Sequence, residues 1–409
     1  MHYNKTFQKT DKMEYIKIVL KSGKDQSLRR FHPWIFSGAI KKIYGGEPAE
    51  GDIVAVYDNK DEFLALGHYQ IGSIAIRVFS FEKITINRDL WKNKFQKAIN
   101  YRKQTGISIK PDTNVYRFIH AEGDGMPGLI MDYYNGTIVM QTHSVGMHLL
   151  RETFVDILKE LLGDNLKAVY DKSEATLPHK ADITPQDGFL YGNGDNADNV
   201  VTEYGNMFNI DWVRGQKTGF FIDQRENRKL LGEYSTNKKV CNIFGYTGGF
   251  SVYALKAGAE LVHSVDASKL AIDLTDANIE LNFGKTEKHK GFAMDAFDFF
   301  DNAPEKYDVI ILDPPAFAKH QKVLHNALQG YKRINQRALE QIKPGGILFT
   351  FSCSQAVSRE NFRKSVFAAA ANAKRNVKIL HQLSQPVDHP VSIFHPESEY
   401  LKGLVLFVE

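Results

Sequence analysis

The stretch KVCNIFGYTGGFSVYALKAGAELVHSVDAS, residues 239–268, contains the pattern that decides the fold of this chain. An apolar run ends at a loop with Gly245, Gly248 and Gly249; a helical pattern follows, and a second apolar run ends at Asp266. Glycines let the loop turn tightly and approach a ligand, and an acid after the next strand can accept hydrogen bonds from both ribose hydroxyls. This order of elements predicts a site for a cofactor that contains adenosine.

The same alternation of strand and helix continues toward the C-terminus. Continuous apolar runs such as VIIL (309–312) and ILFTF (347–351) are typical of strands covered on both faces, so they indicate a parallel, doubly wound α/β sheet. Residues 14–80 contain short strands separated by glycine turns, which predicts a small β barrel or sandwich. Residues 115–172 combine a hairpin at Asn135-Gly136 with a helix and another strand. We read 185–199 as a connection and predict three domains: 13–84, 85–195 and 196–409.

Composition and charge limit the class of protein. The chain has 409 residues, 43% hydrophobic and 24% charged, and no apolar run approaches the ~20 residues of a membrane span. The first residues contain no apolar signal segment, so we expect a cytoplasmic protein with no membrane partner. Residues 1–44 hold ten Lys or Arg against three acids, within a net charge of +4. That basic segment favours a polyanion such as nucleic acid, with a merely solvated basic surface as the alternative.

The stretch VIILDPPAF, residues 309–317, discriminates between adenosine cofactors. Asp313 ends the fourth strand of the predicted sheet, and Pro314 and Pro315 give a rigid backbone at the edge where open α/β folds bind ligands. Phe317 offers an aromatic face to a base. Nicotinamide chemistry does not call for such a turn, whereas amino and base methyltransferases hold their target with one. We therefore predict S-adenosylmethionine (SAM) as the cofactor, with Asp295, after the third strand, reaching the adenine amino group.

The two cysteines, Cys241 and Cys353, form no CxxC pair, so neither a disulfide framework nor a thiolate metal site is expected. Cys241 lies inside a predicted strand and is interpreted as core. Cys353 follows the strand ILFTFS, between two serines and in register with Asp313. A small buried hydrophobe is the plain interpretation of this thiol, and a nucleophile is the functional one.

Nine segments spread over nearly the whole chain form a recognisable set: HPWIFSGAI (32–40), AEGDGMPGLIMDYY (121–134), KTGFFIDQRENR (217–228), FGYTGGFSVYALKAGA (244–259), DPPAF (313–317), GYKRINQRAL (330–339), FSCS (351–354), PVDHP (386–390) and EYLKG (399–403). In these segments the chain resembles the bacterial ribosomal RNA large subunit methyltransferase I family. The resemblance implies an N-terminal β-rich PUA domain for RNA, a middle α+β domain and a C-terminal Rossmann-like class I SAM methyltransferase domain. It also implies that the product is 5-methylcytosine in 23S ribosomal RNA of the large subunit.

Carbon 5 of cytosine cannot take a methyl group from a sulfonium unaided. A thiolate that adds at carbon 6 makes carbon 5 nucleophilic, and loss of the carbon 5 proton then expels the thiol. Cys353 can supply the thiolate, and Asp313 can bind N3 or the exocyclic amine. The commoner RNA cytosine methyltransferases carry a second cysteine where this chain has Ala316, so Cys353 is the sole candidate nucleophile.

The predicted site residues are grouped by role. Segment 217–228 joins an aromatic pair to donors for a carboxylate or phosphate, and the resemblance places it over the cofactor; a core hairpin is the alternative. The catalytic residues are Cys353 and Asp313; the cofactor-binding residues are Phe221, Gln224, Arg225, Phe244, Gly245, Tyr246, Thr247, Gly248, Gly249, Asp266, Ser268, Asn278, Asp295, Ala296 and Asp313; the substrate-binding residues are Pro314, Pro315, Phe317, Arg29 and Arg30. No metal is expected, and a homodimer is a candidate assembly.

Two other functions stay open on the sequence. A methyltransferase acting on a nitrogen of guanine or adenine would use Asp313 and the prolines and leave Cys353 idle. An RNA-binding assembly factor without catalysis would keep the PUA domain and a vestigial cofactor fold. The intact glycine loop and the three acids at the strand ends count against the second of these.

Overall fold

The structure is a computed structural model that describes residues 15–178, 183–194, 199–318 and 321–409. The chain folds into two compact units. The first unit comprises Met1–Asn199, Asp211–Gly219 and Val387–Ser398, and the second comprises Val200–Ile210, Phe220–Pro386 and Glu399–Glu409. The two units are therefore interleaved along the sequence, and the three predicted sequence domains stay a prediction.

The N-terminal part of the first unit is built on one six-stranded sheet with the order β2-β6-β5-β4-β1-β3. The short strands predicted for residues 14–80 are confirmed, and Ile18, Val54 and Ile76 are among their fully buried core residues. The elements are β1 (Ile16–Leu20), α1 (Gln26–Arg29), β2 (Trp34–Phe36), β3 (Ile40–Tyr44), β4 (Ile53–Tyr57), β5 (Phe63–Tyr69) and β6 (Ile74–Ser80).

A five-stranded sheet with the order β11-β10-β9-β8-β7 follows in the same unit. The predicted hairpin is confirmed, because β8 and β9 pair antiparallel across Asn135 (φ 47°) and Gly136 (φ 99°), both left-handed. The stretch 185–199 is more than the predicted connection, since its Phe-Leu-Tyr run forms β11 beside β10. The elements are α2 (Arg88–Gln104), β7 (Val115–His120), β8 (Leu129–Tyr134), β9 (Thr137–Thr142), α3 (Val145–Leu149), α4 (Arg151–Leu162), β10 (Ala168–Asp171) and β11 (Gly188–Tyr191).

The second unit contains a seven-stranded sheet with helices between its strands, which confirms the doubly wound α/β fold. Its order is β16-β15-β14-β17-β18-β20-β19, with β20 antiparallel to both of its neighbours. The elements are β12 (Val200–Glu203), β13 (Asn206–Asn209), α5 (Arg225–Glu233), β14 (Lys239–Ile243), α6 (Gly249–Lys256), β15 (Leu261–Asp266), α7 (Lys269–Phe283), β16 (His289–Ala293), α8 (Ala296–Asp301), β17 (Tyr307–Leu312), α9 (Leu324–Gln341), β18 (Ile342–Ser352), α10 (Arg359–Asn372), β19 (Val377–Leu383) and β20 (Lys402–Val408).

Strand order and register determine where this sheet can bind a ligand. Successive strands are added on one side of β14 up to β16 and on its other side from β17 onward, and open α/β sheets bind ligands outside the carboxyl ends of the strands at such a switch point. Ile243 of β14 lies opposite Leu312 of β17, which in turn lies opposite Thr350 of β18. The loops after these three strands therefore start at the same edge of the sheet.

Burial explains why the central strands read as continuous apolar runs. Val240, Ile310 and Leu348 are fully buried on β14, β17 and β18, as expected for strands covered by helices on both faces. Cys241 is also fully buried, which confirms its interpretation as core. Among the helices of the described ranges, none combines the length and the hydropathy needed to cross a bilayer.

The segment Val387–Ser398 leaves the second unit and packs in the first. Arg102 Nη2 donates to the carbonyl of Asp388 at 2.8 Å, and the Asp388 carboxylate accepts from the backbone N–H of Arg117 at 2.9 Å. Asp388 and His389 are fully buried. The motif PVDHP thus has a structural role that its sequence alone did not indicate.

Candidate active site

The glycine loop between β14 and α6 has a strained backbone that is held from one side by α7. Phe244, Tyr246 and Gly248 are left-handed, with φ of 64°, 46° and 76°. A Cβ on Gly248 would lie 2.7 Å from Thr275 Cγ2, so the loop and α7 approach at a distance that only glycine permits. Thr275 Oγ1 donates to the Tyr246 carbonyl at 2.8 Å. The loop is thereby fixed before any ligand binds.

Asn278 and Arg228 extend this support. Asn278 is fully buried; its Nδ2 donates to the Thr247 carbonyl at 2.9 Å, and its Oδ1 accepts from the Asn209 backbone. Arg228 forms two 2.8 Å hydrogen bonds to the carboxylate of Glu203 and packs against Gly249, where a Cβ would lie 3.0 Å from its Cδ. Asn278, predicted at the cofactor, thus supports the loop. Arg228 was missed, because its partner lies on the distant strand β12.

Asp266 ends β15 beside the glycine loop, as the sequence predicted. Its Oδ2 accepts from the backbone N–H of Tyr246 at 3.1 Å, and its Oδ1 accepts from that of Ser268 at 2.9 Å. Each carboxylate oxygen has a second lone-pair direction, so the group can also accept from a ligand hydroxyl. Ser268 is the N-cap of α7, with its hydroxyl accepting from the Ala271 N–H at 3.3 Å.

Asp295 is exposed and caps a helix. Its Oδ1 accepts from the backbone N–H of Phe297 at 2.7 Å at the start of α8. Ala296, the first residue of that helix, is buried. An acid at the end of a strand can cap the next helix without binding a ligand, and Asp295 does cap α8. Its contact with adenine stays a prediction.

Asp313 lies directly after β17, half-buried and hydrogen-bonded. Gln224 Nε2 donates to its Oδ2 at 2.9 Å, and Asn227 orients that amide by donating to Gln224 Oε1 at 2.5 Å. Burial, and then the negative charge of Asp223, raise the pKa of Asp313 to about 7, against the effect of the Gln224 hydrogen bond. At neutral pH the carboxyl therefore exists in both forms and can donate or accept a proton.

The segment 221–228 places these groups through a short 3-10 turn at Ile222–Gln224, followed by α5. Phe221 packs edge-to-face on Tyr246 of the glycine loop, with ring centroids 5.2 Å apart. Asp223, which was not among the predicted site residues, accepts from the Tyr400 hydroxyl at 2.7 Å. Arg225 is fully buried with its Nε 3.3 Å from Glu226 Oε1, so its guanidinium belongs to the interior of this unit.

Cys353 follows β18 on the loop next to the one that carries Asp313. Its Sγ lies 3.9 Å from the carbonyl oxygen of Pro314, and the residue is half-buried. The predicted adjacency of the fourth and fifth strands is confirmed by the parallel pairing of β17 and β18. Burial, followed by the negative charges of Asp313 and Asp223, raises the pKa of Cys353 to about 12. Without substrate the sulfur is therefore a thiol.

Hydroxyl groups fix the loop around this thiol. Ser352 Oγ donates to the Tyr331 hydroxyl at 2.9 Å, and that hydroxyl lies 3.0 Å from Ser354 Oγ. Lys402 Nζ donates to the Ser354 carbonyl at 2.7 Å. Tyr331 and Lys402 occur in the sequence segments GYKRINQRAL and EYLKG, but their roles depend on contacts 23 and 48 residues away in sequence.

The predicted substrate residues on the DPPAF turn differ in exposure. Pro314 is buried, Pro315 is exposed and Phe317 is half-buried. The Phe317 ring packs on Tyr331 with centroids 4.7 Å apart, and a Cβ on Gly330 would lie 3.0 Å from it. One face of Phe317 therefore stabilises the turn against α9.

The two predicted RNA-contacting arginines of the first unit have different surroundings. Arg29 is within 2.8 Å of three carboxylates, those of Asp25, Asp58 and Glu62. Arg30 is exposed and forms no ion pair with any residue that the structure describes. Of the pair, Arg30 is the better placed for a phosphate.

One group with the spacing of metal ligands occurs within the described ranges, formed by His32, His395 and Glu397. His32 Nε2 lies 3.3 Å from Glu397 Oε2, and His395 Nε2 lies 3.8 Å from it. The backbone N–H of Trp34 donates to His32 Nδ1 at 3.2 Å, so neutral His32 carries its proton on Nε2 and donates it to Glu397. A hydrogen bond joins His32 to Glu397, whereas the buried Nε2 of His395 forms no hydrogen bond within the described residues.

Comparison with known families divides the chain in the order that its sequence predicts. Residues 152–396 match the family described as S-adenosylmethionine-dependent methyltransferase, and residues 18–81 match that of PUA-like domains. The loop, the acids and the sheet described above are thus parts of a SAM-dependent methyltransferase, and SAM is its cofactor.

Solved structures and curated relatives extend the comparison over the whole chain. A protein of Streptococcus mutans described as a SAM-dependent methyltransferase shares the fold, with a TM-score of 0.81, 24% identity and coverage of 96% of this chain and 100% of that one. A methyltransferase complexed with S-adenosylhomocysteine (SAH) gives 0.82 and 25% with the same coverage. The ribosomal RNA large subunit methyltransferases I of Photobacterium profundum and Aeromonas salmonicida are each 38% identical, over 96% and 95% of this chain and 99% and 98% of theirs. The chain therefore belongs to the ribosomal RNA large subunit methyltransferase I family.

Proposed function

We propose that this protein transfers the methyl group of SAM to carbon 5 of a cytosine in ribosomal RNA of the large subunit. The relatives from Photobacterium profundum and Aeromonas salmonicida bear that RNA in their names. The observation that carries the carbon 5 chemistry is the thiol of Cys353, whose Sγ lies 3.9 Å from the carbonyl of Pro314, the residue after Asp313. A thiol beside a carboxyl of raised pKa supplies both groups that the reaction needs.

The reaction divides into two steps on this site. The Cys353 thiolate adds to carbon 6 while protonated Asp313 donates a hydrogen bond or its proton to N3, and the electron pair gained by carbon 5 attacks the methyl group. Loss of the carbon 5 proton to water, with return of any proton on N3 to Asp313, then re-forms the ring double bond and expels the thiolate. SAM supplies an electrophilic methyl group on a sulfonium and leaves as SAH.

The described residues fit this cofactor. The glycine loop approaches α7 and Arg228 so closely that a Cβ at Gly248 or Gly249 would lie 2.7 or 3.0 Å from them, so the loop is held in one conformation in which a cofactor could bind. Asp266, already oriented by the N–H groups of Tyr246 and Ser268, would bind the ribose hydroxyls. Phe221 and Tyr246 would cover the cofactor from the loop side.

The target cytosine has to leave its helix or lie in a loop, because neither sulfur nor sulfonium reaches a stacked base. The exposed Pro315 and the half-buried Phe317 would contact the extruded base beside Asp313. A cytoplasmic location and a homodimer stay predictions.

Transfer of labelled methyl from SAM to ribosomal RNA, and to partly assembled large subunits, tests the proposal directly. Digestion to nucleosides should place the label in 5-methylcytosine. Label in a methylguanosine or a methyladenosine would overturn the carbon 5 assignment in favour of nitrogen methylation. The comparison of free RNA with partly assembled subunits identifies the form that the enzyme accepts.

The two cysteines provide a matched pair of variants for the mechanism. Cys353→Ala should abolish transfer, whereas Cys241→Ala, in the core of the same sheet, should retain it. A nitrogen methyltransferase would keep most of its activity in both variants. Titration calorimetry of SAM, with Asp266→Ala as the variant that loses binding, tests the cofactor site separately, and absence of SAM binding to the natural protein would favour a non-catalytic assembly factor.

A further inference from the structure

Lys402 is a buried cation beside the thiol loop. It is the first residue of β20 and lies opposite Ser352, the last residue of β18, in the antiparallel pair. Its side chain is directed to the carboxyl edge of the sheet, where Nζ donates to the Ser354 carbonyl at 2.7 Å. Only 4% of Lys402 is exposed, an unusual burial for a lysine. The ammonium is therefore bound to the backbone of the residue that follows Cys353.

The charges that face this region are distributed unevenly. Asp313 and Asp223 act on Cys353 as negative charges that oppose a thiolate, whereas Lys402 acts in its favour. Arg359, the other cation near Lys402, is already bound to Glu399 through its Nε at 2.8 Å. Tyr331 is neutral and hydrogen-bonded to Ser352 and Ser354. Among the described residues, Lys402 forms no ion pair, and the Glu399 carboxylate that acts on it from a distance is bound to Arg359.

We propose that the ammonium of Lys402 is the positioning group that stabilises the Cys353 thiolate. The S–H bond breaks, both electrons stay on sulfur, and the proton leaves to water. The adjacent ammonium offsets the new negative charge in a poorly solvated site, where such an attraction is strong. The catalytic meaning of this inference rests on the proposed function, but the pairing itself is a property of the protein without RNA.

Alkylation of Cys353 by iodoacetamide measures its thiolate directly, with the Cys353→Ala protein as the blank for the buried Cys241. Neutralising the cation in Lys402→Met should slow alkylation at pH 8 about three- to tenfold. That range corresponds to a thiol pKa raised by about one to two units, partly offset because a more basic thiolate is a better nucleophile. Lys402→Arg, which keeps a charge, should restore the rate.

A pH series gives a signature that a purely structural role would not produce. Burial lowers the pKa of Lys402 to about 8, so above pH 8 the natural protein loses its ammonium and its alkylation rate should rise less steeply with pH. In Lys402→Arg the charge persists, and the rate should keep rising about tenfold per pH unit. This comparison still decides the question if Lys402→Met does not fold.

Lys378→Met is the matched control, because it removes one positive charge from β19 near the far end of β20, where Lys378 pairs with Phe407. Its alkylation rate should equal that of the natural protein. Equal rates in Lys402→Met and the natural protein, or equal slowing in Lys402→Met and Lys402→Arg, would overturn the inference. If the alkylation rate depends on Lys402 while the RNA product is not 5-methylcytosine, the proposed function fails and the thiolate pairing stands. If the product is 5-methylcytosine but the alkylation rate does not depend on Lys402, the pairing fails and the proposed function stands.

Discussion

The pKa values of the Asp313 carboxyl and the Cys353 thiol lie in the reverse of the order that the proposed reaction needs. The proposed reaction uses a protonated Asp313 and a deprotonated Cys353, yet the pKa of Asp313 is raised to about 7 and that of Cys353 to about 12. Only a small fraction of enzyme carries this pair of states near neutral pH. Among the neighbouring groups, the Gln224 hydrogen bond opposes that fraction because it favours ionised Asp313, whereas the positive charge of Lys402 favours it by stabilising the thiolate.

The pH dependence of a single turnover should expose this order. Below about pH 7 the rate should rise about tenfold per pH unit as thiolate accumulates, and above it the rate should level off because protonated Asp313 disappears as fast as thiolate forms. Asp313→Asn should be about 10²- to 10³-fold slower at pH 7 and should keep rising through that point, because an amide does not titrate. Rapid-quench measurement of methyl transfer checks both profiles. A bend near pH 7 that persists in Asp313→Asn would assign it to another group.

The same carboxyl should affect stability. The pKa of Asp313 is raised in the folded protein, so its favourable contribution is complete below about pH 4 and is lost as pH rises through about 7. The stability of Asp313→Asn relative to the natural protein should therefore increase by about 1–2 kcal/mol between pH 5 and pH 8, a value reduced for the half-exposed carboxyl. Denaturant unfolding at both pH values measures it.

Asp308, on the same strand β17, is the control for that experiment. Burial alone would raise the pKa of Asp308, but hydrogen bonds from the Lys239 N–H and the Lys343 ammonium hold that pKa below its usual value. Asp308→Asn should therefore be less stable than the natural protein at pH 8, whereas Asp313→Asn gains stability relative to it. A gain in both variants would mean that any removed charge stabilises this sheet.

At the scale of an element, the glycine loop joins backbone strain to cofactor binding. Gly248→Ala adds a Cβ 2.7 Å from Thr275 Cγ2 at a φ of 76°, so it should weaken SAM binding tenfold or more and cost about 1–3 kcal/mol of stability. Gly258→Ala, at the other end of α6, has a similar φ of 88°, but the added Cβ meets nothing closer than 4.0 Å. Gly258→Ala should therefore lose a similar amount of stability through backbone strain and keep SAM binding. Calorimetry and thermal unfolding of both variants check this, and equal loss of binding would contradict it.

The elements could be predicted from the sequence where the signal was local. Apolar runs, glycine turns and acids at the ends of strands correctly predicted β14, the glycine loop, Asp266 and the neighbouring strands β17 and β18. The strand β11 was missed because three apolar residues among turn formers are too short a run to separate from a loop. Arg228, Tyr331 and Lys402 were missed for another reason: their partners lie 21 to 48 residues away, on other elements. Spacing in sequence cannot show a contact that only the folded sheet creates.

At the scale of the whole molecule, the excess of positive charge in residues 1–44 is partly neutralised by folding. Lys17 pairs with Asp61, and Arg29 is surrounded by three carboxylates. Lys5, Lys9 and Lys12 lie outside the described residues. Formal charge therefore overstates the field that this part of the first unit offers to RNA, and the phosphate contacts have to come from cations without acidic partners.

Arg30 forms no ion pair within the part of the chain that the structure describes, so comparing it with its neighbour Arg29 tests the RNA proposal. Arg30→Ala should weaken binding to ribosomal RNA about threefold or more near 0.1 M salt, and it should lower the slope of log affinity against log salt by about 1, since one phosphate contact is lost. Arg29→Ala should change the slope less, because its guanidinium is compensated by Asp25, Asp58 and Glu62. Filter binding across a salt series measures both variants. An unchanged affinity and slope in the Arg29, Arg30 double variant would exclude this surface from RNA binding, whereas equal effects of the two single variants would mean that RNA displaces the carboxylates from Arg29.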